Sequence, residues 1–189
     1  MGSGKLILTL DPSFRNTGWA VLELADSDES IVDLGCICTK KADKKRKAFA
    51  GDDNHQCASH IADELRGLVL KYRPRLICAE AQSGSKNSSA AMLMGMAWGV
   101  VSTIATLFEV PVLQVTPVRV KEALTGSAKA SKAEIEAAVR QRYPTAEGYM
   151  SGLVGGLHEH VWDCLAVAIT CYNSTEVRVL RNVFVKERI

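Results

Sequence analysis

Apolar runs alternate with polar turns and helical segments along the chain. Three apolar runs of β character, at residues 5–10, 18–24 and 31–38, open the sequence and are separated by short polar turns. This spacing predicts an antiparallel meander of three strands. Two later runs, at 75–80 and 110–115, each lie between helical segments, an order typical of parallel strands. The pattern predicts an α/β fold: a mixed five-stranded sheet, three antiparallel strands then two parallel, flanked by helices on both faces.

Capping signals mark where the later helices begin. Thr116-Pro117 places an N-cap threonine before a proline at the first helical position. The segment from Ser131 to Glu134 matches a capping box. A last apolar helix is expected from about Leu157 to Tyr172, whereas the tail 173–189 has no assignable element. We expect one domain over residues 1–189, with its core at about 5–172.

One predicted helix is long and apolar enough to be compared with a membrane-spanning helix. The segment from Ser88 to Phe108 has no charged residue and approaches the length of a bilayer-spanning helix. It is rich in small residues and lacks flanking aromatic belts, so we expect no membrane partner. Burial on most sides in a soluble core explains it, as does a dimer interface. Gly95 and Gly99 permit close helix approach in a dimer, although packing onto the sheet explains them equally well.

Composition narrows the class of protein only slightly. The 189 residues are 47% hydrophobic and 23% charged, which is typical of globular proteins. A formal net charge of +2 is too small to indicate a nucleic-acid partner without a clustered distribution. Six scattered cysteines without a CxxC pair are typical of cytosolic thiols. We expect a cytoplasmic location, and a nucleoid-associated, viral or organellar one is compatible with the same composition.

Three acidic residues lie where a carboxylate is costly to bury. Asp11 ends the first predicted strand, Glu80 ends the fourth, and Asp163 lies inside the last apolar helix. Such residues usually have a partner, for example a metal ion. His160 precedes Asp163 by three residues and therefore shares its helix face. Oxygen ligands with one imidazole nitrogen favour Mg²⁺ or Mn²⁺.

Structural explanations compete with this interpretation for each residue alone. Asp11 precedes a proline in a common turn, Glu80 has Arg73 or Arg75 as a partner for an ion pair, and His160 is compatible with a surface position. Glu159, four residues before Asp163, is an alternative fourth ligand. The joint arrangement favours a metal site, because the structural explanations would have to coincide at two strand ends and in one helix.

Basic residues form two clusters, which by pattern alone are usually solvated faces. The first cluster spans residues 40–47. The second comprises Arg119, Lys121, Lys129 and Lys132.

Four segments together resemble the RuvC family of Holliday junction resolvases, within the ribonuclease H-like superfamily. They are ILTLDPSFRNTGWAVLE, RLICAEAQSGSKNSSAAMLMGMAWGV, VRVKEALTGSAKASKAEI and HVWDCLAVAIT. The resemblance runs from about residue 5 to 172, in family order. It implies a structure-selective endonuclease that cleaves Holliday junctions and other branched DNA, leaving 5′-phosphate and 3′-hydroxyl ends.

The resemblance also implies roles for individual residues. Asp11 would bridge two Mg²⁺ or Mn²⁺ ions about 4 Å apart, while Glu80 and Asp163 would each hold one. His160 stands where the family usually has aspartate, a departure that affects metal preference more than reaction type. The resemblance further implies that Lys132 is a catalytic residue near the scissile phosphate. The DNA contacts that it implies are Lys86, Asn87, Arg119, Lys121, Lys129 and Lys132.

Another departure concerns DNA specificity. The family often has an aromatic residue just after its glutamate, whereas this chain has Ala81-Gln82-Ser83-Gly84. Without a stacking side chain there, we expect weak sequence preference. The near two-fold symmetry of a four-way junction favours a C2 homodimer. A branch-migration helicase as a further partner is left open by the sequence.

Three rival interpretations remain. Actin-like kinases and ATPases also begin with a strand, an aspartate and a hairpin, but a second Gly-rich phosphate loop is missing here. A catalytically impaired branched-DNA-binding module, with His160 as the damaged position, is the non-enzymatic alternative. Another ribonuclease H-like nuclease, acting on RNA, would share the fold.

Overall fold

A mixed sheet of five strands forms the centre of the computed structural model, which describes residues 5–25, 29–40, 50–82, 84 and 87–183. The strands are β1 Lys5–Asp11, β2 Asn16–Leu24, β3 Glu29–Cys38, β4 Leu76–Glu80 and β5 Val112–Val115. The helices are α1 Ala50–Tyr72, α2 Ser88–Leu107, α3 Pro117–Thr125, α4 Lys132–Arg142, α5 Ala146–Met150, α6 His158–Tyr172 and α7 Thr175–Val183.

The strand order is β3-β2-β1-β4-β5. β1, β2 and β3 pair antiparallel, while β4 pairs parallel with both β1 and β5. Helices cover both faces of this sheet, so the predicted fold class is confirmed.

Alternate strand residues supply two separate cores. On one face, Ile7 and Leu22 pack with the apolar side of α6, supported by α3, α4 and α7. On the other face, Leu8 and Leu10 pack with α1 and α2. Because successive side chains of a strand point to opposite faces, Asp11 shares the α6 face with Ile7.

The predicted capping signals are confirmed. The Thr116 side chain accepts a hydrogen bond from the Arg119 backbone N–H at 3.3 Å, with Pro117 at the first helical position. Ser131 and Glu134 form the reciprocal capping box at the start of α4. Gly126, with φ of 74°, ends α3 in the left-handed conformation that glycine adopts without strain. These caps fix the backbone position of Lys132, the first residue of α4.

Two elements were not predicted. Residues 175–183 of the tail form α7, whose Val177 is fully buried and whose Leu180 packs against the α6-side core. The short helix α5 buries Ala146 and Met150 in the same core. Short helices of this kind are fixed by tertiary packing, because few internal hydrogen bonds offset the cost of their nucleation.

The uncharged helix α2 is buried on one side only, which corrects part of the prediction. Its buried residues are Ala97, Val101, Ile104 and Ala105, and only 22% of its most apolar window is buried. Gly95 and Gly99 are exposed, and an added Cβ would meet nothing within 4 Å at either position. Packing onto the sheet therefore does not explain these glycines, although Leu93, Met96, Trp98 and Val100 are partly buried against the core.

By length and composition α2 also passes the test for a membrane-spanning helix, alone among the described helices. One such helix is weak evidence of a span, because helices of soluble proteins pass the same test. All six cysteines are free thiols, and Cys57, Cys78, Cys164 and Cys171 are buried.

Candidate metal centre

Parallel pairing brings Asp11 and Glu80 to one edge of the sheet. Leu10 of β1 pairs with Ala79 of β4, so the residue that follows each of them ends its strand at the same level. Leu76 and Cys78 belong to the α6-side core, so strand alternation places Glu80 on that face as well. Both acidic residues therefore face the beginning of α6.

Gly18 lets α6 approach the sheet. It pairs with Asp11 across the β1–β2 ladder and lies directly beneath α6. A Cβ at this position would lie 2.0 Å from the backbone carbonyl oxygen of His160. Only glycine accommodates this contact, a role that sequence inspection did not identify, although glycine inside a strand often marks a close backbone approach.

His160 contacts Asp11 directly. Its Nδ1 lies 3.0 Å from Asp11 Oδ2, and the two side chains are 23% and 16% exposed. The hydrogen bond to Asp11 raises the pKa of His160, against the opposing effect of burial. Asp11 is therefore a strand residue and not only part of a turn, and His160 is turned inward against it and does not lie on the open surface.

The carboxyl groups of Glu80 and Asp163 are harder to ionise than usual. Burial raises the pKa of Glu80 to about 7, with further contributions from the charges of Asp11 and Asp163. Burial likewise raises the pKa of Asp163 to about 6, followed by the charge of Asp11. The carboxyl groups of Asp11, Glu80 and Asp163 thus share one partly buried region, the acidic pocket, in which the charge of Asp11 disfavours ionisation of Glu80 and Asp163.

Glu80 is not part of a strand-end ion pair. Arg73 and Arg75 lie before β4, whereas Glu80 is its last residue, so an extended strand of five residues separates them. Within the described ranges, no ion pair joins Glu80 to either arginine. The alternative interpretation of Glu80 therefore has no support.

The acidic groups converge on one edge without forming a closed coordination shell. No three His, Cys, Asp or Glu side chains among the described residues lie close enough to one point to hold a metal ion. The charges of Asp11 and Asp163 act on Glu80, but the side chains lie too far apart in this structure to share one ion, and Asp11 is engaged by His160. Carboxylate oxygens are the ligands that hard divalent cations prefer, so the donor set fits such an ion.

Lys132 lies beside this pocket. Its ammonium group forms an ion pair with Glu159 and lies 3.9 Å from Asp163 Oδ2. Glu159 is therefore engaged by a lysine, while His160 is the neighbour of Asp11. This placement favours His160 over Glu159 as the fourth ligand, which stays a prediction.

The other predicted DNA contacts lie in different surroundings. Lys121 is close enough for its charge to lower the pKa of Glu80, whereas Arg119 and Lys129 are exposed near the starts of α3 and α4. The Asn87 side chain accepts hydrogen bonds from the backbone N–H groups of Ser89 and Ala90, which makes it the N-cap of α2. Lys86 and residues 41–47 of the first basic cluster lie outside the described residues.

A groove next to Asp163 was not anticipated. Its volume is about 430 Å³, and we call it the α4–α6 groove; residues that line it include Lys132, Arg140, His158, Glu159, Trp162 and Asp163. The Arg140 guanidinium lies 4.4 Å from the centroid of the Trp162 ring. The groove adjoins the acidic pocket, because Asp163 belongs to both and Lys132, which lines the groove, lies beside the pocket.

The sheet order and the acidic residues on β1, β4 and α6 define a ribonuclease H-like fold with a candidate metal centre at the sheet edge. The family model described as crossover junction endodeoxyribonuclease RuvC matches residues 7–171. RuvC of Chromohalobacter salexigens is 31% identical over 172 residues, covering 89% of this chain and 81% of that protein. RuvC of Petrotoga mobilis is 30% identical over 131 residues, covering 69% and 75%.

Solved structures show the same fold. T. thermophilus RuvC in complex with Holliday junction substrate has a TM-score of 0.72 at 21% identity, covering 94% of this chain and 97% of that one. The yeast mitochondrial Holliday junction resolvase Ydc2 has a TM-score of 0.61 at 15% identity, covering 97% and 84%. The chain belongs to the RuvC family of crossover junction endodeoxyribonucleases. Nucleases of this family depend on divalent metal ions.

Proposed function

We propose that this protein is a structure-selective endonuclease that cleaves Holliday junctions and other branched DNA. The observation that carries the proposal is the electrostatic coupling of Asp11, Glu80 and Asp163 at one sheet edge, in a chain of the RuvC family. A relative of the same fold has been solved with a Holliday junction substrate.

The residues that would hold divalent cations are Asp11, Glu80, His160 and Asp163. When bound, two Mg²⁺ or Mn²⁺ ions would supply an activated water and neutralise charge on the leaving 3′ oxygen, giving 5′-phosphate and 3′-hydroxyl ends. The imidazole nitrogen of His160 would make the site prefer Mn²⁺ over Mg²⁺. The raised pKa values of Glu80 and Asp163 support this assignment, because a cation would offset the burial and the repulsion that raise them.

The chain's own residues would orient the substrate. Lys132 directs an exposed ammonium group towards the acidic pocket, where it would contact a phosphate. Lys121 lies near Glu80 and would contact the backbone on the same side. Remaining contacts would come from Lys86, Asn87, Arg119 and Lys129. Because Ala81 and Gln82 replace an aromatic residue after Glu80, we propose weak sequence preference.

A homodimer would place two such sites on one junction. The exposed side of α2 carries Met92, Gly95 and Gly99, and Met92 is 53% exposed. Beside it lies an apolar groove of about 250 Å³, which we call the α1–α2 groove; residues that line it include Ala58, Ala62, Met96, Gly99, Val100 and Ile104. A second copy of this chain would cover this groove, because a C2 contact buries the same surface on both subunits.

Cleavage assays with the Asp11→Asn variant test the proposal. Wild type should cut a four-way junction in Mg²⁺ or Mn²⁺, and the variant should lose at least about 100-fold in rate because Asp11 lies at the centre of the acidic set. Glu64→Gln, an exposed change on α1, is the control and should cut like wild type.

Substrate comparison separates the alternatives. Duplex, single-stranded DNA and an RNA hybrid are assayed beside the junction. Junction binding without any cutting would support a binding module, and preference for the hybrid would support a nuclease acting on RNA. Undiminished cutting by Asp11→Asn would remove this residue from the mechanism.

A further inference from the structure

Lys132 has two carboxylate neighbours that differ in surroundings. Asp163 is 32% exposed and belongs to the acidic pocket, whereas Glu159 is 58% exposed at the mouth of the α4–α6 groove. The capping box fixes Lys132 at the first position of α4, and Glu159 lies in the first turn of α6. The beginnings of the two helices thus hold the ammonium group and the Glu159 carboxylate in direct contact.

Folding does not require this ion pair. Both side chains are largely exposed, Lys132 by 72%, and exposed ion pairs contribute little to stability. Water would solvate either group if the other were removed. The pair instead changes the charge that approaching DNA meets, because Glu159 neutralises a lysine whose ammonium group lies 3.9 Å from Asp163 Oδ2.

We infer that Glu159 is a positioning residue that occupies Lys132 in the free protein and is displaced when a DNA phosphate binds the lysine. The inference rests on the proposed function. A phosphate that takes over Lys132 replaces one anion by another, so this contact adds little to the release of counterions from DNA. Removing the Glu159 charge would convert Lys132 into an unpaired cation, and phosphate contact would then release about one further counterion.

Junction binding as a function of salt tests the inference. Dissociation constants are measured for a four-way junction without divalent cations, so that nothing is cleaved. Glu159→Gln should bind roughly two- to fivefold more tightly than wild type at low salt. The slope of log K against log salt should become steeper by about one. Glu159→Asp, which keeps the charge, should restore most of the wild-type slope, and the control Glu64→Gln should leave it unchanged.

The Lys132→Met background decides whether Glu159 acts through the lysine. In that background Glu159→Gln should change the salt slope far less than in wild type. An equal change in both backgrounds would mean that Glu159 only repels DNA, which would overturn the inference. An unchanged slope in Glu159→Gln alone would also overturn it. If wild type cuts junctions, either result leaves the proposed function intact, whereas wild type that neither binds nor cuts them would refute that function.

Discussion

Glu80 holds its proton more tightly in the folded protein than in the unfolded chain. Burial and the charges of Asp11 and Asp163 raise its pKa from 4.5 to about 7. Between these two values the unfolded chain loses the proton while the folded protein keeps it, so stability falls as pH rises through this window. Below about pH 4.5 the cost is absent. The residue that we propose as a cation ligand therefore weakens the cation-free fold.

Glu80→Gln should stabilise the protein at pH 7.5 in the presence of a chelator. The neutral amide removes the cost of ionising a buried carboxyl group, about 1–2 kcal/mol after allowance for solvent screening. The gain should disappear at pH 4.5. Urea unfolding at both pH values measures it, and Glu64→Gln should show no gain at either.

Added Mn²⁺ should reverse the order of stability. A ligand that binds only the folded state stabilises it in proportion to its affinity, and wild type offers the better donor set. If Glu80→Gln is no more stable than wild type in the chelator at pH 7.5, the pKa of Glu80 is not raised in the folded protein.

Sequence inspection identified Asp11, Glu80 and Asp163 because each is an acidic residue in an apolar run. It did not identify Gly18, whose contact with the His160 carbonyl joins residues from opposite ends of the chain. The pairing of Lys132 with Glu159 likewise depends on how α4 meets α6. Local patterns report strand ends and caps, whereas contacts between distant segments follow only from the assembled fold.

Among the elements, α6 determines the geometry of the candidate metal centre, because it carries His160 and Asp163 and crosses β2 at Gly18. Gly18→Ala should destabilise the fold by about 2–4 kcal/mol, since a Cβ 2.0 Å from the His160 carbonyl forces backbone movement. Cleavage should fall as well, because His160 and Asp163 move with the helix. Thermal unfolding and junction cleavage measure the two effects.

Gly67→Ala is the matched control. An added Cβ meets nothing within 4 Å at this position of α1, so alanine should stabilise the helix by about 0.5–1 kcal/mol. Equal effects of the two alanines would show that α6 does not lie against β2 at Gly18.

The far end of α4 is held by a buried carboxylate. The Glu29 side chain at the start of β3 is 1% exposed, Arg142 Nη2 lies 2.8 Å from its Oε2, and the Tyr143 hydroxyl donates to its Oε1 at 2.7 Å. This contact orients the helix whose first residue is Lys132. Since removing one partner of a buried pair leaves a poorly compensated charge, Arg142→Ala should cost about 2–4 kcal/mol.

Urea unfolding of Arg142→Ala beside Arg66→Ala tests this contact. Arg66 pairs with Asp63 on the exposed side of α1, where the two side chains are 59% and 70% exposed, so its loss should not change stability measurably. A cost no greater for Arg142→Ala than for Arg66→Ala would mean that Glu29 is not held in a buried pair.

At the scale of the whole molecule, the sequence favoured a sheet flanked by helices and a C2 dimer, and the first of these is confirmed. The second stays a prediction that α2 supports, because an uncharged helix that leaves one side exposed, with Met92 on that side, is unusual on a monomer's surface. Met92 and Gly99 lie seven residues apart on α2, which places them on the same side two turns apart.

A double variant with Met92→Glu and Gly99→Glu should shift the protein from dimer to monomer in sedimentation, because two buried like charges per subunit would oppose each other across the two-fold axis. Paired cuts on opposite strands of a junction should be lost before single nicks, since each subunit retains its own Asp11, Glu80 and Asp163. Val179→Glu, at a 52% exposed position on α7, is the control and should leave the dimer intact.

If wild type sediments as a monomer at micromolar concentration with and without junction DNA, the exposed side of α2 has another purpose. If the double variant remains a dimer, the two-fold contact lies elsewhere on the molecule.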